Sequence, residues 1–178
     1  MYNSNLQSKN ALLFTSGLIL IAALSRILPH PPNFSPIAAI AIFGGMYLKN
    51  WQRFAIPFSA MILSDVILGY HSTLAFVYGS IAISIFLGKR LQGTNSIINI
   101  GITTLSSSVL FFIITNFGVW ATQQVTYPPT WEGLMQCYVA AIPFFRNTIL
   151  GDCIYVSLLV GIFEFTSKKI PLVSFVKK

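Results

Sequence analysis

A chain of 178 residues with 54% hydrophobic and only 8% charged side chains, at a mean hydropathy of +0.72, cannot wet a soluble globule, which needs about a quarter of its residues charged. The composition reads as an integral membrane protein. The net charge of +7 does not point to nucleic acid, because the basic residues form no patch or aromatic-interleaved stripe; they lie between apolar runs, where Lys and Arg set topology. Cys137 and Cys153 are too few and too far apart for a zinc cluster, no CxxC occurs, and both read as small apolar residues.

Apolar segments run over about 11–28, 36–48, 54–70, 73–88, 96–121 and 141–164, to be compared with the roughly 20 residues of a spanning helix. They predict one membrane domain, 1–178, folded as an all-α bundle of six transmembrane helices with both termini cytoplasmic. In that arrangement the inside holds Lys9, Lys49, Arg53, Lys89, Arg90, Lys168, Lys169, Lys177 and Lys178, nine of the eleven basic residues. A re-entrant second segment would turn the "KNWQR" and "GKR" loops outward, against the positive-inside rule.

The first segment ends at Arg26 and leads into a turn that carries Pro29, Pro31, Pro32 and Pro36 with His30 and Asn33. Prolines fix φ and cannot extend a helix, so this is a stiff external connector. The short second segment offers Ala41 and Gly45 at the small-xxx-small spacing that lets helices approach closely. Asp65 lies near the outer end of the third, and His71 follows in the second external loop. Tyr78 stands in the fourth. The fifth holds Ser106–Ser108, read as a small packing face, and ends in "TNFGVW", with Asn116 and Trp120 one turn apart. A long third external loop then carries Tyr127, Trp131, Glu132 and Tyr138. The sixth carries Arg146, Asp152 and, at its inner end, Glu164, four residues before Lys168, as a solvated pair.

Ionisable groups inside a membrane are costly unless paired and so mark function by default. Asp65, Asp152, Arg26 and Arg146 are expected at one outer level. The structural alternative is two buried ion pairs that hold helix register. Arg146 and Asp152, six residues apart, point to different faces of one helix and are not expected to pair with each other. The candidate substrate-binding set is therefore His30, Asn33, Asp65, His71, Tyr78, Asn116, Trp120, Trp131, Arg146 and Asp152. His71 and His30 are the candidates for a metal, beside the two aspartates. Catalysis is not expected: there is no GxSxG, no HExxH and no glycine-rich phosphate loop.

The stretches "PHPPNFSPIAAIAIFGG", "LSDVILGYH", "LFFIITNFGVW", "YPPTWEGLMQCYVAAIPFF" and "GDCIYVSLLVG", spread over roughly residues 26–163, resemble an uncharacterised bacterial family described as membrane transport proteins. That family is similar to the S components of energy-coupling factor (ECF) transporters. The resemblance implies a multi-pass protein of the bacterial cytoplasmic (inner) membrane that binds a small molecule beneath its external loops for uptake. A vitamin or cofactor precursor, cobalamin-like, is the implied substrate, with His71 in the place of a cobalt-binding loop residue. A transition-metal cation is the alternative, and a non-catalytic scaffold or an intramembrane enzyme the more distant ones. No cofactor is expected, since a vitamin or metal would be bound as substrate. The implied partners are membrane lipid and a transmembrane coupling subunit with its ATPases. The alanine-rich AxxxA motif of S components is not present as such in the first segment, where Gly17, Ala22 and Ala23 stand instead, so solitary operation stays open.

Overall fold

In hydrocarbon a backbone has no water to bond to, so continuous apolar runs satisfy their N–H and C=O groups as helices. The computed structural model describes residues 4–94, 96–123 and 125–169, among which there is no strand; Lys177 and Lys178 lie outside them. The helices are α1 Ser4–Leu24, extended by a 3₁₀ turn over Ser25–Ile27, α2 Ile37–Tyr47, α3 Gln52–Leu68, α4 Leu74–Arg90, α5 Ile97–Ala121 and α6 Trp131–Lys169. Three stretches, Lys9–Ile27, Ile97–Ala121 and Trp131–Lys169, are long and apolar enough to cross a bilayer. Their outward faces are oily, with Ile97, Ile102, Leu150 and Leu158 among the exposed residues. The protein is all-helical and belongs in a membrane.

The first five helices follow the apolar segments read from the sequence to within a few residues at most ends; α1 starts earlier. The sixth does not: it begins at Trp131 rather than near 141, so Trp131, Glu132 and Tyr138 belong to a helix and not to a loop. Pro143 lies inside this 39-residue helix without ending it. The reading failed there because polar residues at the mouth of a membrane helix lower its hydropathy without breaking its hydrogen bonds.

α2 is the centre. Nine of its residues, Ala38–Met46, are buried, and it touches each of the other five helices. A helix that is apolar all round belongs inside a bundle. Its closest neighbour is α4: a Cβ at Gly45 would run into the backbone of Ile85, Gly88 and Lys89, and one at Gly88 into the backbone of Ile42. Ala41, fully buried, packs with Met61, Val77, Ile81 and Ile85. The small residues read as a close-packing face do hold two helices at backbone contact.

Consecutive helices run in opposite directions, as the pairs across them show. Phe54 meets Phe86 and Phe58 meets Tyr78; Ser84 bonds Ser107 at 2.7 Å; Tyr138 donates to the Ile113 carbonyl at 2.7 Å. One end of the bundle therefore gathers Tyr47, Arg53, Gln92 and Glu164, and the other gathers Arg26, Asp65, Tyr78 and the proline turn. At the first end Tyr47 donates to Glu164 at 2.9 Å, which corrects the expected pairing of Glu164 with Lys168. Gln92 closes the same end by donating to the carbonyls of Gly45 and Leu48 at 3.2 and 3.0 Å.

Candidate functional site

At the other end the two membrane aspartates have opposite surroundings. Asp65, 2% exposed, is saturated. Its Oδ1 takes an ion pair from Arg26 Nη1 at 2.8 Å, and its Oδ2 accepts from Tyr78 Oη at 2.7 Å. Arg26 also donates to Ser64 Oγ at 2.5 Å. This network ties the 3₁₀ turn to α3 and α4, and a charge satisfied on both oxygens has little left for a ligand. The structural alternative therefore describes Asp65, Arg26 and Tyr78.

Asp152, 1% exposed, has no cation among the described residues. Its Oδ2 accepts from Ser108 Oγ at 2.6 Å, and among the described residues Oδ1 accepts nothing. Arg146 is exposed and makes no ion pair or hydrogen bond among them. The expectation of two buried ion pairs is thus half right, and the physical reason is helix geometry: six residues carry Arg146 round to the lipid- or solvent-facing side.

Asp152 lines a cavity of about 60 Å³ with Asn33, Ser35, Ile37, Ala38, Phe111 and Thr148. The roof is the proline turn. Asn147 donates to the Pro32 carbonyl at 2.9 Å, and the Phe34 ring packs at a tilt against that of Tyr155, centroids 5.8 Å apart. Between them Gly151 lets the turn lie directly on α6, since a Cβ there would press on Ser35 N at 3.3 Å. Asn147, Gly151 and Tyr155 are four apart and form one helix face, which seats the turn over the cavity. Asn33 makes the bend with φ +61°, a left-handed conformation that asparagine tolerates. Ser35 Oγ is buried and has no hydrogen-bond partner among the described residues. Asp152, with one oxygen that accepts nothing among the described residues, and Ser35, whose hydroxyl is buried without a partner among them, line one space. Such groups are ordinarily paired, which makes this space the candidate site.

The other predicted residues lie away from the cavity, most of them with structural partners. His30 is exposed and curls onto its own turn, with Nδ1 3.0 Å from the Pro31 carbonyl and Nε2 3.2 Å from that of Arg26. His71 Nδ1 sits 2.7 Å from Thr73 Oγ1 at the start of α4. Asn116 donates back to Phe112 O at 2.8 Å, Trp120 to Pro128 O at 2.9 Å, and Trp131 is 69% exposed. None of these lines the cavity. Nor do three or more His, Cys, Asp or Glu side chains come together as metal ligands among the described residues. Both cysteines are free, Cys137 buried and Cys153 exposed.

Asn33 and Asp152 are the sequence-predicted residues that the cavity brings together. Ser35, Thr148, Phe111 and the supporting Ser108 were missed. Ser108 was visible only as one of three serines. The structure separates them: Ser106 is exposed, Ser107 bonds Ser84 and Ser108 orients Asp152.

Residues 6–173 match a family of unknown function, DUF6580. The chain belongs to that family. No curated protein and no solved structure matches it.

Proposed function

We propose that this DUF6580 protein is a six-span binding component of the bacterial inner membrane for uptake of a small molecule, as the resemblance to ECF S components implies. The observation that carries this reading is the unpaired, buried Asp152 beside the unpartnered Ser35 hydroxyl, under a turn fastened at Asn147 and Tyr155. Intramembrane ionisable groups without a structural partner mark substrate or ion paths.

Six spans are consistent with the helix lengths. α3 and α4 have 17 residues each, about 25 Å at 1.5 Å per residue. α2 is too short to cross alone with its 11 residues, but it is surrounded by protein, where a short helix costs little. Lys49, Arg53, Lys89 and Arg90 all border the end opposite the cavity, which the positive-inside rule makes cytoplasmic. The cavity then faces outward.

Its size bears on the substrate. Sites for drug-sized ligands occupy about 300–1,000 Å³, whereas this space is about 60 Å³. A cobalamin-like ligand would need the proline turn to swing away entirely, so the geometry favours a substrate of a few heavy atoms. Energy would come from a partner with ATPases or from a gradient of the ligand, since the chain has no phosphate-binding loop.

Native mass spectrometry on protein extracted gently from its own membranes tests this. Wild type is expected to carry a small-molecule adduct that Asp152→Asn lacks. An empty wild type, or an adduct that survives Asp152→Asn, would overturn the reading.

A further inference from the structure

We infer that the ligand of the Asp152 cavity bears a primary ammonium group. This rests on the reading of that cavity as an uptake site and goes on to name the ligand's chemical class.

Charge comes first. The cavity presents a single carboxylate, and among the described residues no Lys, Arg or His borders it. An anion is repelled, and beside a neutral ligand the buried carboxyl would take up a proton and forgo its charge; a cation is the ligand that the charged form favours. One carboxylate is balanced by one positive charge.

Donor count comes second. An ammonium head has three N–H donors and accepts nothing. Three of the lining residues, Asp152, Ser35 and Thr148, carry oxygens able to accept. Asp152 Oδ1 is unpartnered, and its companion Oδ2 is already held by Ser108 at 2.6 Å. Ser35 Oγ is buried with no partner. Thr148 Oγ1 spends its proton on Phe144 O at 3.3 Å, which leaves its lone pairs free to accept. Asn33 adds an amide at the turn.

The walls come third. Ile37, Ala38 and Phe111 complete the lining. A bare alkali ion would leave this apolar half unused, and among the described residues no three His, Cys, Asp or Glu side chains gather to hold a divalent metal. An alkylammonium uses both halves, with its carbons among Ile37, Ala38 and Phe111 and its charge at Asp152. About 60 Å³ of cavity holds on the order of four waters, or an organic cation of three or four heavy atoms.

The test uses the full chain in detergent and ethylammonium chloride as the probe, read by saturation-transfer proton NMR. So small a ligand binds in the millimolar range at best, which suits that method. Saturation transfer to ethylammonium is expected in wild type, at least tenfold weaker in Asp152→Asn and several-fold weaker in Ser35→Ala. Ethanol, the neutral isostere, should give none. Ser35→Ala removes an oxygen that bonds to nothing, so it guards against misfolding of the aspartate variant. Three results would overturn the inference: transfer unchanged in both variants, transfer to ethanol equal to that to ethylammonium, or no transfer at all. Displacement of ethylammonium by sodium chloride but not by choline chloride would also overturn it, and would assign an alkali cation instead. If the amine fails while an Asp152-dependent adduct persists in the mass spectrum, only the ligand class falls. If both fail, the uptake reading falls with it.

Discussion

Neutralising each membrane aspartate in turn should move stability in opposite directions. Asp65→Asn leaves Arg26 buried, its side chain 10% exposed, without a counter-charge. Breaking a buried pair by removing one partner costs about 3–5 kcal/mol. The lower end applies here, because Ser64 still accepts from Arg26. Asp152→Asn differs. The amide keeps the shape and still accepts from Ser108, and the change from a charge-assisted to a neutral hydrogen bond costs about 1 kcal/mol. Against this it removes an unpaired charge whose burial costs several kcal/mol even after relaxation. The net effect on the empty protein is a gain on the order of 1–2 kcal/mol, the stability that a binding site forgoes.

The cysteines supply the assay. Cys137 is buried and Cys153 exposed, so in a Cys153→Ser background a fluorogenic thiol reagent reports the exposure of Cys137 as the bundle opens on heating. At roughly 2–4 °C per kcal/mol for a chain of this length, Asp65→Asn should melt about 6 °C or more below the background. Asp152→Asn should melt at or above it. Equal destabilisation by the two substitutions would refute the reasoning, since it would mean that Asp152 is held by a structural partner as Asp65 is.

Two further outcomes are expected. Gly88→Val places a branched side chain against the Ile42 backbone, which cannot yield without parting α2 from α4, so a loss of about 1–3 kcal/mol or more should appear in the same melt. Gly79→Ala, on the same helix but with open space at its Cβ, should be neutral or slightly stabilising, and equal losses would argue against the α2–α4 contact. The six-span orientation is checked by single cysteines in a chain without Cys137 and Cys153, labelled in spheroplasts with an impermeant maleimide. Trp131→Cys should label directly and Trp51→Cys only after permeabilisation, both side chains being about 70% exposed; the reverse order would sink the orientation.

The sequence by itself determined the solvent. Four acidic residues among 178 rule out a wetted surface, and hydropathy, a local property, located the first five helices closely. Composition also singled out Asp65 and Asp152 as the groups to explain, because a charge in hydrocarbon is expensive wherever it sits. What each is for was decided only by tertiary structure. Arg26 and Asp65 are 39 residues apart, and no spacing rule joins residues on helices whose packing is unknown. Which of three neighbouring serines meets Asp152 depends on the rotation of α5, about 100° per residue. Ser35 has no signature at all, being one hydroxyl in a proline turn. It became a candidate ligand-binding group only when Asn147, Gly151 and Tyr155 on a single face of α6 drew that turn over Asp152, a buried carboxyl with no cation among the described residues.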